Sequence, residues 1–169
     1  YLGIKRLISE KNLSGLTITV DPNNCNEFMD FRVLGYYAMS KLMDNCFACS
    51  DEGDMSHVIC QLILGKITGS PVQQWENWAF DKKDNIVMGG HSGVGSTRLA
   101  KDENEIFVRN LMYDTYTLPD GRVRKGFAFN FVLKPGKVTL LTLGSMHDEY
   151  KFKIIRGTAI DYPLLDIHS

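Results

Sequence analysis

The chain has 169 residues, a formal net charge of −1 from 19 basic and 20 acidic residues, and a hydrophobic content of 44%. A balanced charge with no basic cluster interleaved with aromatic residues excludes the electrostatic grip on phosphates that nucleic-acid binding requires. No apolar run reaches the roughly 18 residues of a membrane span, and no signal peptide is visible. We therefore expect a cytoplasmic protein without a membrane partner.

Helical and strand patterns alternate in the first half of the chain. The helical pattern LGIKRLISEK (2–11) starts so close to the first residue that we expect a piece of a longer chain. LTITV (16–20) predicts a short buried strand, and apolar residues three or four apart predict a helix over 27–45. FAC (47–49) predicts another strand, and residues 54–69 a helix that Asp54 begins and Gly69 ends. This order favours a doubly wound α/β layer over residues 1–88.

The second half of the chain has the texture of a β domain. Short strand patterns bounded by turn signals follow one another from residue 71 onward, among them IVMGG, KGFAFNFVLK, KVTLLTLGSM and YKFKIIRGTAI. Such spacing predicts an antiparallel barrel or sandwich. The fold class is therefore α/β plus β, with an antiparallel β-barrel-like domain over residues 89–169. The boundary between the two domains falls between residues 70 and 90.

The four cysteines give little support to a metal or redox motif. Cys46 and Cys49 form a single C-x-x-C pair, and no second pair follows it. Cys60 sits in a helical pattern, where a buried thiol is the ordinary role. Free thiols in a reducing cytoplasm are the preferred interpretation.

The stretch GGHSGVGSTR (89–98) approaches the spacing of a phosphate-binding loop. Ser96 stands where that loop carries its lysine, and the residues after it lack the apolar period of a long helix. A nucleotide site is therefore disfavoured. His91, at the end of the preceding strand, becomes the residue of interest.

Polar residues follow three of the predicted strands. Glu27 comes after LTITV and its loop, Glu52 and Asp54 after FAC, and His91 after IVMGG. Ligands of doubly wound sheets bind beyond the carboxyl ends of the strands, and carboxylates with an imidazole suit a divalent metal. Two alternatives stay open: Glu27 and Asp54 also suit helix N-termini, and His91 also suits a loop.

A family resemblance strengthens the metal hypothesis. The run CSDEGDMSHVICQLILGKITGSPVQQWENWAFDKKDNIVMGGHSG (49–93) resembles the C-terminal part of the L-fucose isomerase and L-arabinose isomerase family. The matching features, in order, are Glu52-Gly53-Asp54, Thr68-Gly69, Glu76, Asp84-Asn85 and His91. The run VTLLTLGSMHDEYKFKIIRGTAID (138–161) is similar to the family's barrel, and Gly93 and Gly95 become backbone turns of a loop that carries His91.

The resemblance implies a C-terminal portion of a metal-dependent aldose–ketose isomerase that acts on a pentose or deoxyhexose such as L-fucose or L-arabinose. The implied cofactor is a divalent cation, first of all Mn²⁺. The implied catalytic residues are Glu27 and Asp54, and the implied metal ligands are Glu27, Glu52, Asp54 and His91. Asp54 fits the fucose type and Glu52 the arabinose type, so the choice between them stays open.

The resemblance also implies substrate contacts for Glu76, Trp75 and His91. As strand residues three apart, Trp75 and Trp78 point to opposite faces, so at most one presents its ring to a sugar, and core packing is the alternative for both. The family's metal-ligating histidine near the end of its barrel has no good match here. His147 and His168 lack the expected setting, so that ligand lies beyond Ser169 or is absent.

The chemistry accounts for these residue types. Moving a carbonyl from C1 to C2 removes a weakly acidic proton, for which a Lewis-acidic cation and a pair of acid–base groups are suited.

The rival interpretation is a non-catalytic sugar-binding or oligomerisation module with the same fold. The resemblance implies a homo-oligomer, a trimer or hexamer, and an isolated chain that is inactive. We expect Glu27, the Glu52/Asp54 pair and His91 to converge in one cleft.

Overall fold

The computed structural model describes residues 1–18, 35–91, 93–117 and 120–163. Among these residues, three helices and two short strands come first: α1 (Leu2–Lys11), β1 (Gly15–Thr17), α2 (Gly35–Asp44), β2 (Ala48–Ser50) and α3 (Met55–Thr68). Six strands follow: β3 (Glu76–Asp81), β4 (Ile86–Gly90), β5 (Phe107–Thr117), β6 (Val123–Asn130), β7 (Gly136–Met146) and β8 (Glu149–Ala159). Two short 3-10 turns, Thr97–Leu99 and Glu103–Glu105, lie between β4 and β5.

The helices form where the apolar periodicity predicts them. α3 begins after Asp54, whose Oδ1 accepts a hydrogen bond from the backbone N–H of His57 at 3.0 Å. It ends at Gly69, which has the left-handed φ of 66° that favours glycine. α2 is the described part of the helix predicted over 27–45; residues 27–34, like residues 19 and 20 of the first predicted strand, lie outside the described residues.

The core lies where α1 and α2 pack on the strand pair β1–β2. These two strands run parallel, with Leu16 opposite Cys49. The buried residues of this cluster are Ile4, Ala38, Met39, Leu42, Met43, Cys49 and Val94. Val94 belongs to the loop after β4, so this loop is part of the core. The loop therefore stays close to the end of β2.

The later strands pair as hairpins. β3 pairs with β4, β5 with β6 and β7 with β8, all antiparallel. The register of β3–β4 shifts between Asn77 and Ala79, which leaves Trp78 in a bulge. β7 and β8 are joined at His147 and Asp148, whose φ values of 51° and 63° suit a two-residue hairpin turn.

The two-domain architecture stays a prediction. The described strands form one parallel pair and three separate hairpins, so they neither complete a doubly wound layer nor close a barrel. The predicted boundary between residues 88 and 89 falls inside β4, which pairs with β3. The Tyr37 ring of α2 packs on Phe127 and Phe129 of β6, with centroids 5.2 and 5.1 Å apart, and so joins the two parts of the chain. None of the described helices combines the length and hydropathy needed to cross a bilayer.

Candidate functional site

The turn between β2 and α3 carries three acidic residues. Asp51 follows the buried strand directly, and its carbonyl oxygen accepts hydrogen bonds from the Thr17 hydroxyl at 3.2 Å and the Asp54 N–H at 3.2 Å. Glu52 and Gly53 have positive φ values of 59° and 75°, so the chain reverses sharply there. This reversal turns Asp51 inward, where its side chain is 7% exposed, and leaves Glu52 on the surface.

His91 comes from the end of β4 to meet this turn. Its ring is 2% exposed, with Nε2 3.0 Å from Oδ1 of Asp51 and 3.7 Å from Oε1 of Glu76. The backbone N–H of Val94 donates to Nδ1 at 3.3 Å. Because Nδ1 accepts this bond, the proton of the neutral ring sits on Nε2 and faces the two carboxylates. The structure thus assembles a buried imidazole with two acids from different elements.

The contact between His91 and Asp51 is close but poorly aligned. Oδ1 of Asp51 has no well-directed hydrogen-bond donor among the described residues, although Nε2 of His91 lies 3.0 Å away. Nε2 and Oδ1 form an ion pair when the ring is protonated. A buried carboxylate oxygen without a well-formed bond is costly, and such atoms often mark places where a ligand or ion completes the shell.

Burial and neighbouring charges shift the protonation of this cluster. Burial alone would lower the pKa of His91, but the Asp51 carboxylate, aided by Glu76 and Glu52, outweighs burial and raises it. The pKa of Glu52 is also raised, first by burial and then by the negative charges of Asp51 and Glu76. Groups with mutually shifted pKa values in one place are typical of functional sites.

Asp54 has a different setting from the acids beside His91. Its Oδ1 accepts the His57 N–H, and its Oδ2 lies 2.7 Å from Nδ1 of the same residue. Burial alone would raise the pKa of Asp54, but its hydrogen bonds to His57 and the charge of that ring lower it. Asp54 therefore caps α3, one of the two roles that the sequence left open. Its catalytic and metal-binding roles stay predictions.

The structure brings together only some of the predicted site residues. Glu52, Glu76 and His91 gather around Asp51, whereas Glu27 lies outside the described residues, as does His168. The Trp75 indole packs toward Gly89 and donates from Nε1 to Oδ1 of Asn77 at 2.9 Å. Its substrate contact stays a prediction.

Asp51 is the site residue that sequence reasoning missed. The run S-D-E-G-D offers three acids, and the family pattern draws attention to the second and third. The available signal was position, because Asp51 is the first acid after the predicted strand FAC (47–49).

The cluster around His91 contains side chains of the kinds that bind divalent metals. Carboxylates and an imidazole are ligand types that Mn²⁺ accepts. Across the part of the chain that the structure describes, however, no group of three or more His, Cys, Asp or Glu side chains is arranged to hold a metal ion. Metal ligation by Glu27, Glu52, Asp54 and His91 stays a prediction. Glu27, one of these four residues, lies outside the described residues.

The loop GGHSGVGSTR holds a carboxylate where a phosphate loop would hold an anion. The Ser96 hydroxyl and the Thr97 backbone N–H both donate to Oδ1 of Asp44 at 2.8 Å. These donors are already used within the chain. This geometry agrees with the interpretation of the stretch as a loop that carries His91.

The described cysteines are free thiols. Cys46 is exposed, whereas Cys49 and Cys60 are buried. Burial raises the pKa of Cys49 to about 12, so its thiol stays protonated. Cys25 lies outside the described residues.

Comparison with known proteins points to one class of enzyme. No protein-family model matches the chain. It is 25% identical over 164 residues to a sulfoquinovose isomerase of Alkalicoccus urumqiensis. The aligned residues cover 95% of this chain and 34% of the relative. It is 24% identical over 159 residues to sulfoquinovose isomerases of Priestia aryabhattai and Priestia megaterium, covering 94% of this chain and 33% of each relative. The chain thus spans about a third of the length of the curated relatives it matches. The similarity supports the resemblance to sugar isomerases in general and does not distinguish the fucose and arabinose types.

Proposed function

We propose that this chain is part of an aldose–ketose isomerase and that the cluster around His91 contributes to its sugar site. The observation that carries the proposal is the buried His91, which meets Asp51 from the end of β2 and Glu76 from β3. The similarity over 94–95% of the chain to sulfoquinovose isomerases supports the same class. The similarity supports the class of reaction, and the identity of the sugar is a separate proposal.

The residues of the cluster divide into a buried pair and two accessible acids. His91 and Asp51 are 2% and 7% exposed and form the base of the site. Glu76 has a 37% exposed side chain and Glu52 lies on the surface, so these two carboxylates can reach a ligand. Nε2 of His91 lies 3.7 Å from Oε1 of Glu76, so the buried pair lies beside an accessible acid, and we propose that Glu76 and Glu52 contact the sugar hydroxyls.

Glu52 is the residue that we assign to proton transfer. Ketol isomerisation removes a proton from C2 and returns one to C1, which needs a group able both to accept and to donate. A carboxyl with a raised pKa keeps its proton more readily than an ordinary one, and the pKa of Glu52 is raised by burial and by the charges of Asp51 and Glu76. Asp54 has a lowered pKa and is a poorer proton donor.

The proposal includes a divalent cation, with Mn²⁺ as the first candidate. The proposed ligands are the predicted set Glu27, Glu52, Asp54 and His91, of which Glu52 and His91 lie in the cluster. When bound, such an ion would supply Lewis acidity to the site. The raised pKa of Glu52, caused in part by the acids around it, fits a cluster with an excess of negative charge.

The proposed substrate is a small sugar. The panel to test consists of the predicted pentoses and deoxyhexoses and of sulfoquinovose, the sugar named in the relatives.

The second candidate function is a non-catalytic sugar-binding or oligomerisation module. Exposed apolar side chains on β3–β4 favour an assembly face, with Phe80 56% and Val87 44% exposed. A trimer or hexamer in light scattering is expected, and a monomer at high concentration would count against assembly.

Thermal melts with and without Mn²⁺ test the proposal. An ion that binds only the folded chain stabilises it by about 2.7 kcal/mol at a hundredfold excess over its dissociation constant. The change Glu52→Gln should remove most of this stabilisation. The matched control is Glu149→Gln, which alters an exposed acid paired with Lys151 at 3.1 Å on β8. Equal metal responses in wild type and both variants would contradict the proposed site.

A further inference from the structure

The carboxylate of Asp44, the last residue of α2, is fastened to the loop that follows His91. The Ser96 hydroxyl and the Thr97 N–H donate to Oδ1 at 2.8 Å each, and the Thr97 hydroxyl donates to Oδ2 at 2.9 Å. Nη1 of Arg98 donates to the carbonyl oxygen of Asp44 at 2.9 Å. Three loop donors on one side chain that is 14% exposed make a tight anchor.

The dipole of α2 does not stabilise the charge of Asp44, because this residue lies at the carboxyl end of the helix. The carboxyl end of a helix carries a partial negative charge, which disfavours an acidic residue there. The nearby Lys41 ammonium, 3.4 Å from Oδ2, offers only a partly exposed ion pair. The charge of Asp44 is therefore stabilised mainly by the loop donors. Charge-assisted bonds of this kind are roughly twice as strong as neutral ones.

A continuous set of bonds connects this anchor to His91. The Gln73 amide accepts the Ser96 N–H at 3.3 Å and donates to the Val94 carbonyl at 3.0 Å. The Val94 side chain is 1% exposed in the core, and its N–H donates to Nδ1 of His91. The segment from Val94 to Thr97 is thus fixed at both ends. One end holds the Asp44 carboxylate and the other holds the imidazole ring.

We propose that Asp44 is a positioning residue for His91. By fastening Ser96 and Thr97 it keeps the Val94 N–H on Nδ1, which holds Nε2 toward Asp51 and Glu76. This inference goes beyond the proposed function, because it concerns the orientation of the ring and holds for any ligand of the cluster.

The test compares Asp44→Asn with wild type by NMR, under conditions in which both are folded. Loss of the charged anchor should speed hydrogen exchange of the Val94 amide at least about tenfold through local opening, while the Val58 amide in α3 changes little. In the neutral ring, the ¹⁵N resonance of Nδ1 of His91 should move toward that of His147, which lies in the exposed β7–β8 turn. The control is Asp102→Asn, because Asp102 accepts from the Asn104 N–H at 2.8 Å at the start of the separate 3-10 turn Glu103–Glu105.

Two further samples keep the inference falsifiable if Asp44→Asn does not fold. Thr97→Val removes one donor with little change of shape and should give a smaller shift in the same direction. Acetate added to Asp44→Ala should restore the exchange protection of Val94 more than chloride at equal ionic strength. An unchanged Nδ1 resonance, or faster exchange of Val94 only in proportion to Val58, would overturn the inference. Neither readout involves sugar or metal, so failure of the proposed function is seen separately.

Discussion

Replacing Asp51 by asparagine should reverse the direction of the pKa shift of His91. Burial is the largest influence on this ring and lowers its pKa, and only the nearby acids bring it above the ordinary value of 6.5. Asp51, at 3.0 Å, is the strongest of those acids, whereas Glu76 is 3.7 Å away and partly exposed. A hydrogen bond or close pair with a charged group contributes about 1.5–3 kcal/mol, which corresponds to roughly one to two pKa units. Without it, burial prevails.

The assay is an NMR titration of the His91 ring in wild type, Asp51→Asn and Glu149→Gln. The pKa should lie above 6.5 in wild type and the control, and below 6.5 in Asp51→Asn. Because the folded pKa is raised in wild type, the pair stabilises the fold below the unfolded pKa, and this contribution is lost as the pH rises through the folded pKa. The stability difference between wild type and Asp51→Asn should therefore shrink from pH 6 to higher pH. A His91 pKa that stays above 6.5 in Asp51→Asn would refute the reasoning.

Three other changes have expected outcomes in chemical denaturation. Asp54→Ala should lower the free energy of unfolding by about 1 kcal/mol at neutral pH through loss of the α3 cap. Because the pKa of Asp54 is lowered, this loss should fade as the pH drops through that pKa. A loss that is independent of pH would contradict the capping account. Glu52→Gln should raise metal-free stability at neutral pH, because a raised pKa means that the charged form disfavours the fold, and the gain should vanish in acid; a loss at neutral pH would contradict this. Gly89→Ala should destabilise the fold by about 1–3 kcal/mol or more, since its new Cβ would lie 2.0 Å from the Glu76 carbonyl oxygen. Gly3→Ala, with open space around it in α1, should instead stabilise the fold by up to about 1 kcal/mol. Similar effects of the two changes would contradict the packing around Gly89.

Local patterns were sufficient to predict the elements with strong signals. Asp54 and Gly69 mark the two ends of α3 because capping depends on the residue and its immediate neighbours. The hairpins follow from alternating strands and turns for the same reason. The packing of a hairpin on a helix depends on contacts between distant residues, such as Tyr37 on Phe127, which no local pattern contains.

The candidate site was predicted in part for a similar reason. His91 stands out because it ends a strand between glycines, and Glu76 follows from the family pattern. Asp51 was missed because its role depends on the positive φ of Glu52, which directs the neighbouring carboxylate inward. The role of Asp44 was missed although an acid at a helix carboxyl end is unusual, since its partners lie more than 50 residues away.

The most direct test of the central claim is a calorimetric titration of sugars into the chain in the presence of Mn²⁺. L-fucose, L-arabinose and sulfoquinovose are each titrated into wild type, Glu76→Gln and the control Glu149→Gln. If the cluster around His91 belongs to a sugar isomerase site, at least one sugar should bind wild type and the control with equal affinity. Glu76→Gln should weaken that binding about tenfold or more, because its accessible carboxylate is proposed to contact the sugar hydroxyls. Absence of binding for every sugar, or unchanged affinity in Glu76→Gln, would contradict the account.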